Sequence, residues 1–67
     1  MKKISVSLSG HQTSISLEPE FISALQEIAN MRHTSVAKII CEIDAARGIN
    51  VNLSSAIRVW ILIYFHH

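Results

Sequence analysis

Few side chains in this sequence could do covalent or metal chemistry. His11, His33, His66 and His67 stand at no spacing with cysteine or carboxylates that would build a tetrahedral metal site, and the last two are a terminal pair. Cys41 is the only cysteine, so the chain can form no internal disulfide, and no neighbour in the sequence marks its thiol as activated. There is no nucleophile–base pair, carboxylate pair or glycine-rich phosphate loop. The sequence therefore predicts no catalysis, no metal and no cofactor. What remains is hydrogen-bonding chemistry. In "GHQTSISLEPEF", residues 10–21, Gln12, Ser14 and Ser16 alternate with an apolar set that includes Ile15 and Leu17. An extended chain would gather an amide and two hydroxyls on one face and aliphatic groups on the other. Two more hydroxyls, Thr34 and Ser35, precede an apolar-periodic segment that carries Lys38 in its first turn.

The elements that position these groups follow from periodicity and capping. A strand is predicted over about residues 12–17 and helices over about 19–32, 35–47 and 53–65, in a single domain of 67 residues. Pro19 suits a first helical position, and Glu18 and Glu20 suit the positive end of the helix dipole. Phe21, Ile22, Leu25, Ile28 and Ala29 form one stripe, and His33 falls where a helix commonly ends in a left-handed residue. Thr34 or Ser35 caps the second helix, whose inner face is Val36, Ile39, Ile40 and Ile43. Cys41 lies off that stripe. The segment "ISVSLSG" alternates too, as a second short strand or an extended arm.

The third helix differs from the others. From Ala56 to Phe65 only Arg58 is polar, and its expected partner is Glu42 or Asp44. A helix apolar around its whole circumference must be buried on all sides, which two short helices cannot do. Without another chain, Trp60, Ile61, Ile63, Tyr64 and Phe65 would form a large exposed patch. A lone strand has a matching problem in its unpaired backbone groups. Both are solved by a second copy of the chain, with two "TSISL" segments paired about a two-fold axis. Small chains without disulfides or metals commonly need such help. Ile15, Leu17, Trp60, Ile61 and Tyr64 are the expected contacts between copies.

Strand, helix, helix with an intermolecular ribbon resembles the ribbon-helix-helix family of DNA-binding proteins. The chain is most similar to a small bacterial group with matching segments, here "GHQTSISLEPEF" (10–21), "EIDAARG" (42–48) and "NLSSAIRV" (52–59). The resemblance spans about residues 4–60 and implies a mainly α fold with one β-strand per chain, a dimer joined by an intermolecular antiparallel ribbon, and a third C-terminal helix added to it. It implies that Gln12, Ser14 and Ser16 read base edges in the major groove. It also implies that Thr34, Ser35 and Val36 clamp the phosphate backbone at a helix N-terminus, with Lys38 beside them. The chemistry suits these roles: glutamine bonds adenine bidentately, serine serves several bases, and helix N-termini bind phosphate.

The implied function is a homodimeric transcriptional regulator that binds double-stranded DNA. The alternative is a protein-interaction or antitoxin-like module that keeps the fold for dimerisation and binds a protein partner through the third helix. Net charge is only +1, with Lys2 and Lys3 in an acid-free N-terminal segment and Glu18, Glu20 and Glu27 in the first helix. The ribbon face carries Gln12 where relatives often have a basic residue. No secretory leader is expected, because serines interrupt the apolar run after Lys2 and Lys3. "VWILIYF", residues 59–65, is far short of a membrane span, so a cytoplasmic location without membrane contact is expected.

Overall fold

The computed structural model describes residues 1–8 and 10–66. The chain folds as two strands, β1 (Lys2–Leu8) and β2 (His11–Leu17), followed by helices α1 (Pro19–Met31), α2 (Val36–Ala46) and α3 (Leu53–Phe65). Three helices and a two-stranded antiparallel sheet make it mostly helical.

The expectation of one strand per chain is corrected here. β1 is a full strand that pairs antiparallel with β2 from Lys2↔Leu17 through Ile4↔Ile15 and Ser5↔Ser14 to Leu8↔His11. The physical reason lies in the connection. Gly10 takes φ +82°, a region closed to most side chains, and lets the chain reverse tightly. Both strands alternate in the same sense, so Ile4, Val6 and Leu8 share the inner face with Ile15 and Leu17. Four of these, Val6, Leu8, Ile15 and Leu17, are buried. Within one chain, β1 thus covers much of the apolar surface that a single strand would leave open.

The helices are held by local signals. At the start of α1, the amides of Phe21 and Ile22 donate to the Glu18 carbonyl. Its end is a Schellman motif: His33 takes φ 54°, its N–H donates to Asn30, and the Thr34 N–H donates to Ala29. Ser35 caps α2, its Oγ accepting from the Lys38 amide at 3.1 Å. Asn52 caps α3, its Oδ1 accepting from the amides of Ser54 and Ser55. One core gathers Leu25 and Ile28 of α1, Ile39, Ile40 and Ile43 of α2, Leu53, Ile57 and Ile61 of α3, and the inner face of the hairpin.

Arg58 finds a different partner from either carboxylate expected on α2. Its Nε donates to Glu18 Oε1 at 2.9 Å, tying α3 to the start of α1. The helix packing brings a residue 40 positions away closer than Glu42 or Asp44. Those two are engaged elsewhere, Asp44 by Arg47 at 2.7 Å and Glu42 by Arg32 at 3.7 Å.

Candidate nucleic-acid interface

The outer face of the hairpin follows from the pleat. Side chains alternate between faces, so the register sets three cross-strand pairs outward: Lys3 with Ser16, Ser5 with Ser14, and Ser7 with Gln12. Gln12 and Ser14 are exposed and Ser16 is half-buried. Lys3, Ser5 and Ser7, also exposed, extend the face; the sequence marks Lys3 for its charge, but not the two serines. Their signal was the serine alternation in "ISVSLSG", which is equally compatible with an unpaired arm. Among the described residues, this face holds four serines, one glutamine and one lysine, with no acid.

At the start of α2, Ser35 satisfies the Lys38 amide, while the amides of Val36 and Ala37 have no partner within the helix. Thr34 is half-buried with its amide committed to α1, Val36 is half-buried against the core, and Lys38 is exposed. The first turn holds no acid, so Lys38 adds positive charge to the positive end of the helix dipole. That end suits an anion better than it suits lysine. The Cys41 thiol donates to the Ser7 carbonyl at 3.5 Å, which lays α2 against the end of β1 that carries the Ser7–Gln12 pair. Val36 precedes Cys41 by about 7.5 Å of helix rise. The middle of α2 therefore lies against this end of the hairpin.

β2 has β1 on one edge, and its other edge opens on a groove of about 430 Å³. Thr13, Ser14, Ile15 and Ser16 form one wall, and Arg47, Asn52, Leu53 and Ser54 form the other. This edge presents the free backbone donors and acceptors of a strand. Of the residues expected to join two copies, Ile15, Leu17 and Ile61 are buried in the chain's own core, and Trp60 and Tyr64 are half-buried against it. Trp60 and Tyr64 stack on one another at 5.4 Å.

Among the described residues, no group of three or more histidine, cysteine or carboxylate side chains is arranged to hold a metal ion. In the same residues, no helix is long and apolar enough to cross a membrane.

A hairpin with an open second edge and a polar outer face, followed by three helices, is a ribbon-and-helix architecture. A family model described as a ribbon-helix-helix domain matches residues 1–65, and the chain belongs to that family. Such domains are typically DNA-binding transcription regulators or antitoxins that form homodimers, and they are generally non-enzymatic. Neither a curated protein nor a solved structure matches the chain.

Proposed function

We propose that the protein is a homodimeric, cytoplasmic bacterial transcription regulator that binds double-stranded DNA through its ribbon. The observation that carries this reading is the acid-free outer face of Lys3, Ser5, Ser7, Gln12, Ser14 and Ser16 on a ribbon-helix-helix chain. In the dimer, the free edge of β2 pairs with its copy, giving the strand order β1, β2, β2 of the partner, β1 of the partner. Adjacent strands lie about 4.8 Å apart, so the outer strands are about 14 Å apart, against a major groove about 12 Å wide. The central β2 pair then enters the groove, where Gln12, Ser14 and Ser16 bond base edges. The flanking β1 strands lie over the rims, which brings Lys3 to the phosphates. The hydroxyls of Thr34 and Ser35 and the amides of Val36 and Ala37 hold a phosphate at the start of α2, with Lys38 supplying charge.

Fluorescence anisotropy against random-sequence duplex DNA tests this across a salt series. Lys2, Lys3 and Lys38 from two chains provide at most about six phosphate contacts, so log K should fall against log salt with a slope no steeper than about −5. Absence of binding even at low salt would defeat the regulator reading.

The apolar side chains exposed on α3, among them Val59, Leu62, Ile63 and Phe65, favour a second reading. In it the fold serves as an interaction or antitoxin-like module whose third helix binds a protein. A pure interaction module would show no salt-dependent affinity for DNA, whereas an antitoxin would keep operator binding by the ribbon and add a protein partner on the third helix.

A further inference from the structure

The connection between α2 and α3 carries a side chain in an unusual place. Turn apices favour glycine, proline, asparagine, aspartate and serine, yet Ile49 stands there 99% exposed. It is held out rather than left loose. The Val51 amide donates to the Gly48 carbonyl at 3.2 Å, closing the turn around Ile49 and Asn50. Arg47 braces the same turn, donating to Asp44 and to the Val51 carbonyl. Beside this knob lies an apolar groove of about 330 Å³, walled mainly by Ile43, Ala46, Val51, Ala56, Val59 and Ile63. Ile49 is not part of its own groove's wall.

We propose that the groove receives Ile49 of a second copy, so that two chains exchange knobs about a two-fold axis through the α2–α3 face. Three observations select this occupant. A knob and a groove side by side on one chain make a self-complementary patch, and a reciprocal contact between two copies closes after two. Among the described residues of the groove wall the one charged side chain is Arg47, whose guanidinium is engaged within its own chain, leaving little to recognise an acidic or basic partner. The exposed parts of Ile49, Val51, Val59 and Ile63, the apolar knob and the exposed apolar residues of the groove wall, amount to on the order of 450 Å², as large as the largest patch of a typical monomer. This face adjoins the groove along the free edge of β2, with which it shares Arg47. If both are used, pairs formed through the ribbon are joined into larger assemblies through α3.

Sedimentation equilibrium on the full chain tests the exchange. Ile49→Asp changes a fully exposed side chain, so its fold, checked by circular dichroism, is retained while the knob is lost. The expected result is a mass at least two-fold lower than wild type at matched concentrations, with Val59→Asp giving the same loss. The mass falls whether the smaller unit is one chain or a ribbon-paired dimer, so failed DNA binding leaves this test intact. Equal masses for wild type and Ile49→Asp would overturn the proposal and leave the groove to a different occupant. A second measurement uses Cys41→Ser chains carrying either Ile49→Cys or Val59→Cys. Mixed and oxidised, they should yield a disulfide between the two kinds of chain, and absence of that mixed product would equally overturn it.

Discussion

The ribbon and the third helix are both incompletely satisfied within one chain, and they differ in what they lack. The outer face of the hairpin is a set of hydrogen-bonding groups that water can already serve, and its β2 edge is a row of backbone groups. The outer side of α3 is aliphatic and aromatic, with Ile63 60% and Val59 54% exposed. The first surface gains by meeting a partner with matching donors and acceptors, an interaction that salt weakens when phosphates are involved. The second gains by removing apolar area from water, a force that needs no directional match and that salt does not screen. One short chain thus carries one surface of hydrogen-bonding groups and another of exposed apolar area, and each can be perturbed alone.

The largest effect should come from the inner side of α3. Ile57 is fully buried, and Ile57→Ala should lower unfolding free energy by about 2–5 kcal/mol in a denaturant titration. Val59→Ser, two residues on and facing out, should change the fold's own stability by only about 0.5 kcal/mol. Similar losses at both positions would erase the distinction between the two sides of the helix. Next comes the ribbon. Gln12→Ala and Ser14→Ala should each weaken binding to a selected operator by about 1–3 kcal/mol, measured by anisotropy, while leaving the mass of the assembly unchanged. Unaltered affinity would remove the outer face from DNA recognition. Ser35→Ala should cost about 1 kcal/mol of stability through the lost α2 cap.

The smallest effect is a pH dependence. A hydrogen bond from its own backbone, then one from Arg58, lowers the Glu18 pKa below its ordinary value of 4.5. A lowered folded pKa means the contribution is present above 4.5 and is lost as pH falls through the folded value. Glu18→Gln should therefore flatten the acid limb of stability below that point and leave the neutral region little changed. An unchanged acid limb in thermal melts would show that the Glu18–Arg58 bond does not contribute to acid stability.

Much of the architecture was legible because it rests on local rules. Helical spacing of Leu25 and Ile28, and of Ile39, Ile40 and Ile43, marks two inner faces without reference to anything distant. His33 at the end of α1 and Ser35 before α2 are capping chemistry decided within a few residues. The outward set Gln12, Ser14 and Ser16 follows from a period of two once the strand is granted. Lys3, Ser5 and Ser7 were harder, because alternation does not say whether a strand finds a partner. The pairing depends on the turn at Gly10 and on Val6 and Leu8 being drawn into the core.

By itself, the sequence determined the helical periodicities, the caps, the alternating strand and the scarcity of groups for covalent chemistry. These depend on interactions over a few residues, which composition and spacing encode directly. Only the tertiary structure decided that β1 covers the inner face beside β2, that Arg58 reaches Glu18, and which side of an all-apolar α3 is buried. An apolar side chain has no directional preference of its own, so its burial is settled by what packs against it, and that is a property of the whole fold.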